Sequence, residues 1–124
     1  MDWQAWAMDF ESGDGAKFTA WFADGGLFCD PVTTWTTDVQ KVADQTHEHF
    51  PDWHAHVDAL RTGDGWAVAE WTGFGTYHGD PSRPVEVTMH GATVVEVDEQ
   101  GKVTRWRDYL DTGEPMAQIK AAFS

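Results

Sequence analysis

One residue stands out in the segment 101–111, GKVTRWRDYLD. If this segment is a β-strand, Thr104, Trp106, Asp108 and Leu110 share one face, because side chains alternate along a strand. A carboxylate between a tryptophan and a leucine must either be paired or line a cavity. In a cavity, desolvation would raise its pKa towards the range of a general base. Asp108 is therefore predicted to be a catalytic base; a structural carboxylate paired with an arginine or a helix end is the alternative.

Four histidines near the middle of the chain, His47, His49, His54 and His56, raise the question of a metal site. Pro51 separates the two pairs, so one pair lies at a helix end and the other on a strand. Positions i and i+2 of a helix point about 200° apart, which separates His47 from His49. His54 and His56 alternate with apolar residues and are predicted to face outward. A catalytic zinc needs about three convergent ligands, so no metal site is predicted.

The first half of the chain is predicted to hold the helices that enclose these groups. Apolar residues recur at helical spacing in 3–10, 18–22 and 39–50. Asp2 can cap the first helix, and Thr36, Thr37 or Asp38 can cap the third. Glycine-rich turns end the first two helices and a proline ends the third. A short apolar strand is predicted at 27–30.

The second half changes to a period of two, which predicts strands at 53–62, 66–77, 85–97 and 101–111. The third strand is predicted to be bulged near Gly91, and a final short helix follows Pro115. The short turns between the strands require antiparallel pairing. Helices followed by consecutive antiparallel strands give an α+β order. A curved sheet with helices on one side makes a half-open cone, which has an interior.

Composition limits the classes of function. The 124 residues suggest a single domain, and the eight tryptophans and seven phenylalanines must line a core, a pocket or an interface. A formal net charge of −13 disfavours nucleic acids and anionic membranes as partners. The single Cys29 excludes an intrachain disulfide and fits a cytoplasmic location. We expect no signal peptide and no membrane span, because neither pattern occurs in the sequence.

Four stretches, in this order, carry a resemblance to a known superfamily: WFADGGLFCDPV, HFPDWHAHVDAL, VAEWTGFGTYHG and VVEVDEQGKVTRWRDYLD. They resemble the nuclear transport factor 2-like superfamily, in its SnoaL-like, ketosteroid-isomerase-like and limonene-epoxide-hydrolase-like branch. The resemblance implies one SnoaL-like domain over residues 1–124. It also implies a cone-shaped fold, in which a curved antiparallel sheet and three N-terminal helices enclose an apolar cavity. The superfamily includes isomerases, aldol cyclases, dehydratases, epoxide hydrolases and binding domains.

The resemblance gives roles to particular residues. Asp108 corresponds to the aspartate that activates a water in the epoxide hydrolases. The arginine and second aspartate of that group have no counterpart in residues 66–78, where Glu70 and Thr72 are the nearest polar side chains. SnoaL-like cyclases move protons with a histidine–aspartate pair on this sheet. His90, which a bulge at Gly91 could turn inward, is predicted to pair with Asp108; a surface or core histidine is the alternative.

Asp30, in the stretch CDPV, resembles the place of the ketosteroid-isomerase base. The oxyanion donors of that family fall on Trp6 and near Thr93, and neither reproduces the tyrosine and carboxylic acid used there. Steroid isomerisation by the usual groups is therefore not expected. An aspartate before a proline at a strand end is also common turn chemistry, so a structural role for Asp30 remains the alternative.

Two hypotheses follow. In the first, the protein is a small enzyme without a cofactor that performs acid–base chemistry on an apolar, oxygen-bearing small molecule. In the second, it is a SnoaL-like binding or structural domain without catalysis. The predicted catalytic residues are Asp108, Asp30 and His90. The predicted ligand-binding residues are Trp6, Trp106, Leu110, Phe28 and Thr72.

The outer face of the sheet is predicted to carry a mixture of polar and aromatic side chains, namely His54, His56, Arg105, Arg107 and Tyr109. This mixture is too polar for a core and too aromatic for an ordinary surface. Members of the resembled superfamily commonly dimerise through this face. The resemblance therefore implies a homodimer.

Overall fold

The computed structural model describes residues 1–124 and has the predicted α+β organisation. Its elements, in chain order, are α1 Trp3–Ser12, α2 Gly15–Ala20, β1 Phe22–Cys29, α3 Val39–His49, β2 His54–Gly63, β3 Trp66–Tyr77, β4 Val85–Val97, β5 Val103–Leu110 and α4 Gly113–Ala122. No helix among them is long and apolar enough to cross a membrane.

Aspartates begin all three N-terminal helices. Asp2 accepts a hydrogen bond from the backbone N–H of Ala5, 3.0 Å away, and Asp14 and Asp38 cap α2 and α3 in the same way. Each carboxylate satisfies an N–H that has no partner inside its helix. Gly13 ends α1 with a φ of 68°, a left-handed conformation that glycine adopts without strain. The prediction that Asp2 caps α1 is confirmed.

The five strands form one curved sheet in the order β1-β5-β4-β3-β2. The predicted antiparallel pairing of β2, β3, β4 and β5 is confirmed. β1 extends the sheet at one edge and runs parallel to β5. The mixed sheet follows from the chain order, because α3 and three strands separate β1 from β5 and allow a crossover.

β1 is longer than predicted and begins at Phe22, a residue that the sequence pattern assigns to α2. The helix ends at Ala20, and Phe22 pairs with Val103 of β5. Its ring packs at 5.7 Å from the ring of Trp106, which is a strand contact on the inner face. Gly25 and Gly26 do not end the strand. They form an irregular stretch within it, in which Gly25 has a φ of 76°.

Alternation along β5 is interrupted at its start. The register with β4 shifts between Glu96 and Val97, so Val103 is fully buried and Thr104 is exposed. The sequence pattern predicts the reverse for both residues, because strict parity takes no account of a bulge. Beyond the bulge the expected alternation holds. Trp106 lies in the core, and the next two inward-facing residues on β5, Asp108 and Leu110, line the pocket described below.

The predicted bulge near Gly91 is absent. β3 and β4 pair without interruption from Trp66 opposite Glu96 to Tyr77 opposite Val85. Gly91 is instead a point of close approach. A Cβ atom there would lie 2.4 Å from the ring of Trp71, which packs over the glycine on the inner face. Glycine thus provides the space for the indole of Trp71.

The main core lies between α1 and the inner face of the sheet. Its buried members are Trp6, Phe28, Ala67, Ala69, Val95, Val103 and Trp106. Small alanines on β3 leave space for the two large indoles, whose ring centroids are 5.4 Å apart. This packing fixes the position of α1 over β5, and hence the position of one pocket wall.

The C-terminal helix begins at Gly113, two residues before Pro115, whereas the sequence predicts that it follows Pro115. Pro115 fits within its first turn, where a backbone N–H has no helical partner. The helix covers the part of β4 that extends beyond β5. There the side-chain amide of Gln118 accepts from the N–H of Thr88 and donates to its carbonyl oxygen. This side chain replaces the missing neighbouring strand.

Candidate functional site

A pocket of about 640 Å³ lies between the three N-terminal helices and the inner face of the sheet. Its walls include nine aromatic rings, those of Trp6, Phe10, Phe18, Trp21, Phe28, Phe50, Trp53, Trp71 and Trp106. Six carboxylates also line it, those of Asp9, Asp14, Asp30, Asp44, Glu48 and Asp108. The combination of aromatic walls with a few polar groups is typical of small-molecule sites.

Asp108 lies in this pocket and is held by a short network of hydrogen bonds. Its Oδ1 accepts from the hydroxyl of Thr93 at 2.6 Å and from the indole Nε1 of Trp106 at 2.8 Å. Thr93 Oγ1 in turn accepts from Nε1 of Trp71 at 3.0 Å. Because the indole of Trp71 occupies that hydroxyl as a donor, the hydroxyl proton is directed to Asp108.

Strand pairing produces this arrangement. Thr93 of β4 is directly opposite Asp108 of β5, and Trp106 precedes Asp108 by two residues on the same face. Trp71 reaches Thr93 from β3 across the glycine that leaves space for its ring. Donors on β4 and β5 therefore hold one carboxylate oxygen, and Trp71 of β3 holds the β4 donor in place. The other oxygen, Oδ2, receives no hydrogen bond from the protein.

The pKa of Asp108 is raised to about 6. Burial is the largest cause, since desolvation disfavours the charged form. The hydrogen bonds from Thr93 and Trp106 oppose this effect, and the nearby negative charge of Asp30 adds to it. The carboxyl group is therefore largely ionised at neutral pH, yet basic enough to accept a proton there.

The hydroxyl of Thr93 is expected to hold the pKa of Asp108 down. Thr93→Val keeps the shape and removes this donor, so the pKa of Asp108 should rise above about 6, by on the order of one unit. A pH titration of the Asp108 carboxyl carbon by NMR measures this directly. Thr93→Ser retains the hydroxyl and should leave the midpoint unchanged. A midpoint that is the same in the valine variant and the wild type would contradict this role of the hydroxyl.

Asp30 also lines the pocket, and part of its carboxylate is used in a turn. Its Oδ1 accepts from the backbone N–H groups of Val32 at 2.9 Å and Thr33 at 2.6 Å. This is the turn chemistry considered as the alternative for Asp30. Its Oδ2 receives no hydrogen bond from the protein. Asp30 thus combines a structural role with a free oxygen in the same pocket as Asp108.

The structure does not bring His90 to Asp108. His90 is exposed on the outer face of the sheet, where its Nδ1 lies 3.0 Å from Oε1 of Glu114 in α4. The reason is the uninterrupted pairing of β4: Met89 faces inward, so His90 faces outward, and no bulge at Gly91 reverses it. The predicted pairing of His90 with Asp108 is wrong.

Thr72 also lies outside the pocket. Its inward neighbour on β3 is Trp71, and the hydroxyl of Thr72 donates to Oδ2 of Asp58 on the outer face at 2.7 Å. His56 contacts the other oxygen of the same carboxylate at 2.9 Å. This bond raises the pKa of the exposed His56 imidazole. Thr72 therefore belongs to a polar cluster on the outer face and not to the predicted ligand site.

The remaining predicted ligand-binding residues line the pocket, namely Trp6, Phe28, Trp106 and Leu110. Trp6 is fully buried, and its indole Nε1 is the one buried side-chain nitrogen or oxygen without a hydrogen-bond partner. Sequence reasoning missed the roles of Thr93 and Trp71 as the groups that orient Asp108. The alternation of residues along β4 and β3 could have predicted that both side chains face inward. It could not have predicted the pairing between strands that brings them together.

The four central histidines are dispersed. His47 lines the pocket, His49 contacts the backbone oxygen of Gln45, and His54 and His56 are exposed on β2. No three histidine, cysteine, aspartate or glutamate side chains converge as a metal site requires.

Comparisons with known proteins agree with this fold. The family model of the SnoaL-like domain matches residues 3–106 of the chain. No match was found among curated proteins.

Solved structures with the same fold come from several bacteria. One is a protein with a ketosteroid isomerase-like fold from Catenulispora acidiphila, with 18% identity, a TM-score of 0.79 and coverage of 93% of this chain and 88% of that one. Another is a SnoaL-like polyketide cyclase candidate from Shewanella putrefaciens, with 15% identity, a TM-score of 0.77 and coverage of 95% and 83%. An LEH-like epoxide hydrolase from M. tuberculosis has 17% identity, a TM-score of 0.71 and coverage of 97% and 87%. At these identities the likeness establishes the fold alone.

Proposed function

This chain belongs to the SnoaL-like domain family, and on that premise we propose that it is an enzyme that works by general acid–base chemistry without a cofactor. The proposed substrate is an apolar, oxygen-bearing small molecule held in the aromatic pocket. Asp108 is the proposed base. The fold neighbours include a cyclase candidate and an epoxide hydrolase, so a proton-transfer reaction is within the range of this fold.

The observation that carries the proposal is the state of the Asp108 carboxyl group. It has a pKa of about 6, one oxygen held by Thr93 and Trp106, and a second oxygen that receives no hydrogen bond from the protein. A catalytic base needs a fixed orientation, a free oxygen and a pKa near the working pH. A purely structural carboxylate would have both oxygens paired or exposed to water.

The proposed reaction begins at a carbon next to a carbonyl group of the substrate. Oδ2 of Asp108 removes the proton, the C–H electrons form an enolate, and the carboxyl group then returns the proton to another atom of the substrate. Asp30, with its free oxygen in the same pocket, is the proposed second acid–base group.

The lining residues favour an isomerase or cyclase over an epoxide hydrolase. The resembled epoxide hydrolases use an arginine beside their aspartates, and no arginine lines this pocket. Epoxide opening needs a strong donor to the leaving oxygen, and no lysine or arginine of this pocket supplies one. Enolisation followed by proton return breaks no carbon–oxygen bond and begins with a positioned base, which this pocket has in Asp108.

Proton exchange tests the proposal without knowledge of the natural substrate. A panel of cyclic and aromatic ketones is incubated with the protein in D₂O, and loss of the α-proton signals is followed by NMR. The wild type should accelerate exchange in at least one ketone, whereas Asp108→Asn should not. If no ketone exchanges faster than in buffer, and a parallel epoxide panel gives no diol, the enzymatic proposal fails.

The second candidate function is a binding domain without catalysis. The position of His90 favours it, because Asp108 then has no histidine partner and no lysine or arginine lines the pocket to stabilise an oxyanion. A ligand that binds in the pocket but undergoes no proton exchange would support this candidate.

A homodimer is also proposed, formed through the outer face of the sheet. Arg105 and Arg107 lie over the ring of Trp35 at 4.5 Å and 5.7 Å, and Arg107 lies over Tyr109 at 4.8 Å. With the exposed Trp66, this surface is rich in the aromatic and arginine side chains that are enriched in interfaces. Light scattering at micromolar concentration should give twice the monomer mass of 13.9 kDa, and Arg107→Glu should lower it. A monomeric wild type would exclude this dimer.

We further propose a cytoplasmic location. Cys29 is free and buried on β1, and a reducing compartment preserves a cysteine in this form.

A further inference from the structure

Charge is distributed unevenly around the pocket. Six carboxylates line it, and none of the eight lysines and arginines does. Only Asp9 has a lysine close by, since Nζ of Lys17 lies 4.0 Å from its Oδ1. Arg61 and Arg105 pair with glutamates on the outer face of the sheet, and Lys17 and Lys102 flank a separate, smaller depression. His47 is the only lining side chain that can take a positive charge. The pocket therefore has a negative potential that a bound ligand has to accommodate.

The aromatic walls favour the same sign of ligand charge. Nine rings line the pocket, five of them tryptophans, and the face of an indole attracts cations more strongly than that of other aromatic side chains. Trp53 and Phe50 are only partly buried, with their rings 6.1 Å apart in this wall. A hydrophobic cation would gain from the rings and the carboxylates together, whereas an anion would be repelled by the carboxylates.

Two of the carboxylates are close enough to influence each other. The negative charge of Asp30 contributes to the raised pKa of Asp108, which means that the two ionised groups repel one another. Each has its Oδ1 occupied by protein donors and its Oδ2 unpaired. A cationic group at Oδ2 of Asp30 would offset the repulsion, supply the hydrogen-bond donor that this oxygen lacks and leave Oδ2 of Asp108 free to act as the base.

We propose that the pocket selects a mostly apolar organic cation, a protonated amine on an aromatic or alicyclic body, whose ammonium group lies at the free Oδ2 of Asp30, next to Asp108. This inference rests on the proposed function, because it takes the same pocket as the substrate site, and it names the substrate class. A neutral ligand of the same shape binds more weakly, and a carboxylate of the same shape binds most weakly.

Three probes with one ring system test the charge preference. Binding of 2-naphthylmethylamine, 2-naphthalenemethanol and 2-naphthoate is measured by isothermal titration calorimetry at pH 7.5 and low ionic strength. The amine should bind at least tenfold more tightly than the alcohol, and naphthoate should bind more weakly than either. Because salt screens charge, the preference for the amine should decrease as the ionic strength is raised.

Variants locate the preference within the pocket. Asp30→Asn and Asp108→Asn should each lower the affinity for the amine threefold or more, with little change for the alcohol. The double variant should remove the preference. Asp24→Asn changes the net charge by the same amount at an exposed position of β1 outside the pocket, and it should leave the preference intact. Thermal unfolding of each variant verifies that it is folded.

The inference is overturned if the amine and alcohol bind equally, if naphthoate binds most tightly, or if the amine does not bind at millimolar concentration. It is also overturned if the preference survives in the double variant. These results are separable from the proposed enzymatic function. Equal binding together with proton exchange that depends on Asp108 would refute only the charge preference. A clear amine preference without any exchange would refute only the catalysis.

Discussion

Asp108→Asn is expected to abolish proton exchange while making the folded protein more stable. The asparagine side chain has nearly the shape of aspartate, and its carbonyl oxygen can still accept from Thr93 and Trp106. Its amide nitrogen replaces the free Oδ2 and cannot take a proton. The rate of exchange of a responsive ketone should therefore fall by about 10²-fold or more, the usual contribution of a positioned general base. In the wild type, kcat/KM should rise with pH about a midpoint near 6, the pKa of Asp108.

The gain in stability of this variant over the wild type should depend on pH. In the unfolded chain Asp108 ionises near the ordinary aspartate pKa of 3.8, whereas in the folded protein it keeps its proton up to about pH 6. Between these values the folded state binds more protons, so the contribution of this group to stability falls as the pH rises. A shift of about two units corresponds to roughly 3 kcal/mol, an upper value because the pocket admits water. Asp108→Asn should therefore unfold several degrees higher than the wild type at pH 8 and not at pH 4.

The matched control is Asp24→Asn, which removes an exposed carboxylate that makes no hydrogen bond. It should change neither the exchange rate nor the dependence of the melting temperature on pH. The opposite pattern identifies a structural role for Asp108: a melting temperature that falls at pH 8 in the asparagine variant, with exchange unaffected. Loss of both stability and activity would contradict the expectation that the ionised carboxylate destabilises the folded protein, because it would mean that this carboxylate stabilises the fold.

Local patterns in the sequence predicted the fold class and the elements that form the pocket. The capping residue Asp2, the spacing of apolar residues and the period-two strands each act over a few residues, so they can be read without the structure. The placement of Asp108 in the pocket followed from the same local alternation. The resemblance to the SnoaL-like branch is confirmed by the family model and the fold neighbours.

Interactions between distant segments could not be predicted from the sequence. A bulge in β5 reversed the expected positions of Val103 and Thr104, and the absence of one in β4 left His90 on the outer face. A bulge changes which residues face inward, yet it depends on the partner strand and leaves little local signature. The orientation of Asp108 by Thr93 likewise depends on strand register, which joins residues 15 positions apart.

Trp106 is expected to be the most sensitive residue for both stability and chemistry. Its ring packs against those of Trp6, Phe10, Phe18 and Phe22 at 5.0–5.9 Å, and it is 3% exposed. Trp106→Ala would leave a cavity at the centre of this cluster and should destabilise the protein by about 3–5 kcal/mol. A chemical denaturation curve measures this loss, or shows that the variant does not fold. Trp66→Ala, at a site where the tryptophan is 43% exposed, should cost less than about 1 kcal/mol.

Trp106→Phe separates the two roles of the residue. The phenyl ring retains most of the packing, but it lacks the indole N–H that donates to Asp108 at 2.8 Å. This hydrogen bond lowers the pKa of Asp108, so its removal should raise that pKa above about 6 and move the midpoint of the pH–rate profile upward. The carboxylate would also lose one of the two donors that fix its orientation, so the exchange rate at high pH should fall about tenfold. An unchanged midpoint and rate in a folded Trp106→Phe variant would show that Thr93 alone positions the base.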